Sequence, residues 1–155
     1  MSAGSIQPLM QELNGVYTDP TRVLQDASKL LHSEQGSELI PKILPVAERK
    51  GHVNEYHKRA LCFTGCIPIV YQGGRYQIPI QLFLVPSYPS SPPICYVRAL
   101  DTMVLKENHK HVGADGMIYM PYLHQWNNQC NLVDLVLNMV SQIKQKIPVK
   151  KKFCM

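Results

Sequence analysis

Apolar side chains recur at helical spacing in three stretches of the chain. Ile6, Leu9, Met10 and Leu13 share one face and stop at Asn14-Gly15, a C-terminal capping pair. Val23, Leu24, Ala27, Leu30 and Leu31 repeat the pattern behind Asp19-Pro20, which supplies an N-cap and a first helical residue that needs no donor. Leu132, Leu135, Val136, Met139, Val140 and Ile143 do so again after Asn131. Each stripe is one-sided, as in a helix packed on something flat.

Between the second and third stripes the period changes to two. Residues Leu61 to Val85 read as a hairpin of two strands around Gln72-Gly73-Gly74-Arg75. A register that opposes Tyr71 to Tyr76, Ile69 to Ile78, Ile67 to Ile80 and Phe63 to Leu84 puts every large apolar residue on one face. It also opposes Pro68 to Pro79, and a four-residue loop from Gln72 to Arg75 makes that a pair without ladder bonds. Leu39 to Val46 carries Pro41 and Pro45, which favours an extended first strand over a helix, with Arg49 to Glu55 as its polar loop. Pro86 to Pro93 is a rigid connector to a short strand, Ile94 to Arg98. Helices, an antiparallel sheet, an irregular stretch and a last helix make an α+β domain.

The length of 155 residues suits one domain with its own core. Its charge changes the picture only at one end. Lys and Arg total 16 against 11 acids, and Lys144, Lys146, Lys150, Lys151 and Lys152 are the only charges past residue 143. Without those five, residues 1–143 balance at zero, so the broad basic face of a nucleic-acid binder is missing. We expect a single domain over residues 1–148 and a basic tail over 149–155. No apolar run reaches the ~20 residues of a membrane span, and Met1-Ser2-Ala3-Gly4-Ser5 does not read as a signal peptide, so a cytoplasmic protein is expected. Five cysteines without a Cys-x-x-Cys pair imply reduced thiols, with no disulfide framework and no zinc site. His109, His111 and His124 do not complete a metal set and are expected to be structural; no metal or cofactor is implied.

Two motifs carry the function. Tyr88-Pro89-Ser90-Ser91-Pro92-Pro93-Ile94 resembles the Tyr-Pro-x-x-Pro-Pro connector of the ubiquitin-conjugating enzyme fold. His111 and Gly116-x-Ile118-Tyr119-Met120, followed by Trp126 and a helix, resemble the segment where those enzymes place His-Pro-Asn and then Gly-x-Ile-Cys-Leu. That likeness implies a four-stranded antiparallel meander with N-terminal helices and one helix after the degenerate active site. Tyr119 stands at the nucleophile position, and a phenol of pKa near ~10 supports no thioester exchange. Gly113 stands where an oxyanion-stabilising Asn is expected. Both losses point to a ubiquitin-conjugating enzyme variant, a UEV domain, and not to an enzyme. Cys130, just before Asn131, keeps open a relocated thiol at a helix N-terminus.

Phe63 to Tyr71, Tyr76-x-Ile78-Pro79-Ile80 and Ile118-Tyr119-Met120-Pro121-Tyr122-Leu123-His124-x-Trp126 resemble the UEV branch found in the ESCRT-I sorting subunit, over roughly residues 20–148. The resemblance implies a cytoplasmic module, peripheral at late endosomes, in sorting to multivesicular bodies. Its implied partners are ubiquitin or ubiquitylated cargo, Pro-Thr/Ser-Ala-Pro peptides, and other ESCRT-I subunits through regions beyond this sequence. Tyr71, Tyr76, Met103, Pro148 and Val149 would line the peptide groove. On the residues alone, Tyr71 and Tyr76 read first as a cross-strand packing pair, and the resemblance reverses that order. Val53, Asn54 and Glu55 in the loop, with Phe83 and Tyr96 on the sheet, would meet ubiquitin; an idle solvated loop is the alternative. Phe83 replaces a family Trp, and Lys150-Lys151 replace an aromatic and a serine, which weakens one groove wall. The lysines there point to acidic peptide flanks or an anionic membrane, not to nucleic acid. A second branch, in which such a variant partners an active conjugating enzyme to direct chain linkage, is the alternative function.

Overall fold

The structure is a computed structural model and describes residues 2–45, 59–100, 103–106, 109–143 and 148–151. Two helices open the chain, α1 (Ser2–Glu12) and α2 (Pro20–His32). The Asp19 carboxylate accepts the Arg22 N–H at 3.1 Å, and Pro20 follows where its missing donor costs nothing. Val23, Ala27, Leu30 and Leu31 bury the inner face of α2, each worth roughly 1–3 kcal/mol in area removed from water.

Four strands follow in the order β1 (Ile40–Pro45), β2 (Arg59–Tyr71), β3 (Gly74–Phe83) and β4 (Ile94–Val97), all antiparallel. The stretch with Pro41 and Pro45 is the edge strand β1, where a missing donor can face away from the ladder. The β2–β3 register differs from the expected one by two residues: Tyr71 opposes Gly74, Ile69 opposes Tyr76 and Ile67 opposes Ile78. Pro68 therefore meets Gln77, and Pro79 meets Cys66. A shift of two keeps each side chain on its own face, so the hydrophobic pattern does not distinguish the two pairings. The turn decides. Gln72 and Gly73 take φ of 50° and 78°, the pair of positive angles that a two-residue hairpin turn requires and that matches strand twist. The expected four-residue loop is not formed.

After β4 come a short strand, β5 (Met103–Leu105), a single turn α3 (Pro121–His124), the helix α4 (Leu132–Ile143) and β6 (Val149–Lys151), which pairs with β5 in a second, two-stranded sheet. The α4 cap is reciprocal: Asn131 Oδ1 accepts the Asp134 N–H at 2.8 Å, and Asn131 Nδ2 donates to the Asp134 carboxylate at 3.0 Å.

The helices cover one face of the large sheet, where Val23, Ile67, Ile69, Ile78, Leu135 and Met139 belong to one cluster. Tyr17 ties helices to sheet, since its hydroxyl accepts the Leu61 N–H and donates to Leu84 O, both at 2.8 Å. The other face carries a smaller cluster of Ala60, Cys62, Phe83, Tyr96 and Met117. Among the described residues no helix is long and apolar enough to cross a membrane.

Candidate functional site

The β2–β3 hairpin runs past β4. Strand β4 pairs only with Ile80–Phe83, and Arg98 N–H adds a bond to Pro79 O at 2.9 Å. Beyond that point, from Gly74 to Ile78, the edge of β3 has no strand beside it among the described residues. Tyr71 and Tyr76 occupy this overhanging end. Their rings meet edge to face, 6.1 Å apart and inclined by 67°, in the geometry aromatic quadrupoles favour. Tyr71 is half-buried against the main cluster, whereas Tyr76 is 40% exposed. A side chain at Gly74 would come within 3.3 Å of the Tyr76 ring, so the absent Cβ lets that ring fold back over the turn.

The β5–β6 pair supplies the other three expected groove residues. Met103 opposes Lys151, Val104 opposes Lys150 and Leu105 opposes Val149. Met103 packs on the same cluster as Tyr71, and Val149 is part of it. Pro148 is buried, and its carbonyl accepts the Lys106 N–H at 2.7 Å. Leu105, which carries no expectation from sequence, packs toward Gly116, where a Cβ would stand 2.5 Å from Val97 O. Gly116 has φ of 88° and its carbonyl accepts the Val97 N–H at 2.8 Å, so the glycine allows β4 and the Tyr119 segment to touch.

The Tyr119 segment holds its shape by backbone bonds. Tyr119 N–H donates to His111 O at 2.7 Å, and Gly113 N–H donates to Met117 O at 2.9 Å. His111 Nδ1 lies 3.0 Å from Tyr119 O and so carries the ring proton and donates there. His109 Nδ1 accepts the His111 N–H at 3.0 Å. Two of the three histidines are thus tied to nearby backbone, and His124 is exposed on α3. No group of three His, Cys, Asp or Glu among the described residues is arranged to hold a metal. Tyr119 is 40% exposed, and its ring lies 3.2 Å from where a Gly113 side chain would begin. A phenol over a bare backbone offers neither a leaving thiolate nor a side-chain oxyanion donor.

Cys130 belongs to a different corner. Its carbonyl accepts from Arg22 Nη2 at 2.5 Å, while Arg22 Nη1 donates to Asn128 O and Nε to buried Asp26, both at 2.8 Å. The Cys130 thiol accepts the Asn127 N–H at 3.5 Å. Burial, with the same thiol alongside, pushes the Tyr122 phenol up to about 12. This knot joins α2 to the start of α4. It also explains the two motifs in physical terms: buried Tyr88 donates to Asp26 at 2.5 Å, and Trp126 Nε1 donates to Pro89 O at 2.7 Å. Trp126 joins the motif tyrosines into a scaffold joint: its ring lies 5.8 Å from Tyr88, tilted by 48°, and 5.6 Å from Tyr122, edge to face.

On the outer sheet face, Phe83 and Tyr96 are in contact at 6.2 Å but almost fully buried, at 2% and 5% exposure. Expected as ubiquitin contacts, they present little area to a partner. What they support is above them: Arg98 lies over the Tyr96 ring at 3.9 Å and donates to Gln81 at 2.8 Å. Further along this face Ile40 and Val70 are more than half exposed. Val53, Asn54 and Glu55 lie outside the described residues.

Comparison with known proteins adds a family and a fold. The family model for the UEV domain matches residues 9–151. The human tumor susceptibility gene 101 protein is 45% identical over 87 residues, which is 56% of this chain and 22% of that protein. The chain thus spans about a fifth of the length of the curated relatives it matches. The yeast vps23 UEV domain, solved in complex with a vps27 PSDP peptide, superposes with a TM-score of 0.71 at 20% identity over 89% of both chains. A complex of the Vps23 UEV with ubiquitin gives 0.68 at 18% identity over 96% of this chain and 98% of that one. The two structures carry the fold of this chain, an α+β domain of the conjugating-enzyme type.

Proposed function

Because the chain belongs to the UEV domain family, we propose that it is a non-catalytic module of ESCRT-I-type endosomal sorting with two separate docking sites. One takes a proline-rich peptide of the Pro-Thr/Ser-Ala-Pro kind at Tyr71, Tyr76, Met103, Pro148 and Val149. The other takes ubiquitin on the outer sheet face together with Val53, Asn54 and Glu55, which lie between β1 and β2 in sequence. Phe83 and Tyr96 act there as the base on which Arg98 and Gln81 are set.

The observation that carries the peptide half is the overhanging hairpin end. An exposed tyrosine stands edge-on to a half-buried one, beside a strand edge that no other strand covers among the described residues. A polyproline II segment arrives extended and loses little entropy on docking, and its rings fit against aromatic walls. The likeness to a UEV domain that was solved with a PSDP peptide, and again with ubiquitin, supports both halves. The non-catalytic reading is supported by chemistry: Tyr119, at the position that resembles the nucleophile's, has no thiol, and Gly113 has no side chain.

The test is a titration of isotope-labelled chain followed by amide shifts. Unlabelled ubiquitin should move residues of β1 to β4 on the outer face with a Kd between about 10 μM and about 1 mM. A Pro-Thr-Ala-Pro peptide should move Tyr71 to Ile78 and Met103 to Lys106. No shifts with ubiquitin at the top of that range would reject the ubiquitin half, and peptide shifts confined to residues 111–119 would reject the groove.

A further inference from the structure

We propose that Arg98 is the specificity-determining anchor of the outer sheet face, a guanidinium held flat and open to take a carboxylate side chain of the docked protein. The proposal rests on the ubiquitin reading above and names a contact which that reading leaves unassigned.

The strand registers place the surroundings of Arg98 residue by residue. Directly opposed residues share a face, so Ile40, Thr64, Gln81 and Tyr96 form one outward row across β1, β2, β3 and β4. In the neighbouring row Lys42 opposes Cys62, which opposes Phe83. Cys62, Phe83 and Tyr96 are buried in the outer cluster and make a closed floor. The guanidinium lies on that floor. Its central carbon stands 3.9 Å from the centre of the Tyr96 ring, and its Nε donates to Gln81 Oε1 at 2.8 Å. The Arg98 backbone is fixed as well, with its N–H on Pro79 O at 2.9 Å.

These contacts use only the Nε donor of the side chain. Nη1 and Nη2 meet no acceptor among the described residues, and Arg98 is only part-buried. An arginine ordinarily gives up rotamer freedom when it binds. Here stacking and the Nε bond have already set the plane, so the Nη1 and Nη2 fork is preorganised for an end-on, bidentate carboxylate. No carboxylate of the described residues fills it. The outward positions of β1 to β4 carry Lys42 and Arg75 and no acid. Glu38 precedes β1, and Asp115 accepts the Met117 N–H at 2.9 Å; neither pairs with Arg98.

The row that holds Gln81 and Tyr96 ends at Ile40, which is 56% exposed. Ile40 and Gln81 are two strand spacings apart, about 10 Å. The face therefore suits a protein surface that offers an apolar side chain and a carboxylate at about that separation. The apolar contact supplies area, and the ion pair supplies selection.

The experiment is a double-mutant cycle read by amide-shift titration of the full chain. Ubiquitin and a panel of its single carboxylate-to-amide variants are titrated into the unaltered chain, Arg98→Lys and Arg98→Gln, at about 0.05 M and about 0.5 M salt. Arg98→Gln should weaken ubiquitin binding about fivefold to tenfold, and Arg98→Lys about threefold, because lysine keeps the charge and loses the fork. One ubiquitin variant should cost the unaltered chain about the same factor and cost Arg98→Gln nothing. High salt should narrow the gap between the unaltered chain and Arg98→Gln. Thermal unfolding checks the fold of both variants, and Arg98→Lys carries the cycle by itself where Arg98→Gln is unstable. Losses that simply add for every ubiquitin variant, or ubiquitin binding undiminished in Arg98→Gln, overturn the proposal and leave the ubiquitin reading standing. Absence of ubiquitin binding by the unaltered chain removes that reading and the proposal with it.

Discussion

Tyr71 and Tyr76 share a hairpin end but not an environment, and the difference separates stability from binding. Tyr76 is 40% exposed, so Tyr76→Ala gives up little beyond an edge-to-face contact of about 0.5–1.5 kcal/mol. Tyr71 packs on the main cluster, and Tyr71→Ala opens part of that packing at about 2–3 kcal/mol. Urea melts should show this order. Peptide titration should instead show both variants weakened at least about tenfold, because each removes one aromatic wall. Undiminished binding by Tyr76→Ala would leave the two rings as a cross-strand packing pair and nothing more. Phe83 and Tyr96 teach the converse lesson at the same scale. Their positions on the sheet follow from alternation along β3 and β4, but their burial depends on a second cluster with Met117 on the outer face, and no pattern within either strand reports it.

Among the elements, β6 has the largest consequence for its size. Removing residues 148–155 would strip Val149 from the core and leave Met103 to Leu105 without a partner strand. The truncated chain should unfold at a lower temperature by several degrees, as expected for a loss of about 1–3 kcal/mol, and should lose peptide binding while ubiquitin binding persists. Ubiquitin binding that disappears together with peptide binding, in a chain still folded, would contradict a separate second site. The ease of reading each element from sequence follows its signals. Helices α2 and α4 announce themselves by caps and one-sided stripes, Asp19-Pro20 and Asn131 among them. The β2–β3 register does not, because pairings two residues apart place Ile67, Ile69, Ile78 and Ile80 on the same face, and the positive φ of Gln72 and Gly73 chooses between them. Strands β5 and β6 are three residues each, too short for any period, and two of the three β6 residues are lysines. The expectation that Met103 and Val149 line a groove comes from family resemblance, not from the residues' own pattern.

The whole molecule should lose stability in alkali. Burial pushes the Cys62 thiol up to about 12 and raises the Tyr17 and Tyr88 phenols, while in the unfolded chain a thiol ionises near ~8.5 and a phenol near ~10. Above those values the unfolded chain has lost protons that the native one retains. The stability these groups confer is therefore complete below about pH 8.5 and declines as pH rises toward 12, by at most about 1.4 kcal/mol per pH unit for one group. Urea midpoints should fall over that window, and Cys62→Ala should lower the midpoint at neutral pH yet flatten its decline. The outer sheet face and the hairpin end are proposed as two independent sites on one small domain. Calorimetric titration of ubiquitin into the chain, alone and then saturated with a Pro-Ser-Asp-Pro peptide, tests it directly. The two ubiquitin Kd values should agree within about twofold, since the sites share no residue. A ubiquitin affinity that collapses in the presence of peptide, or no ubiquitin binding in either titration, would contradict it.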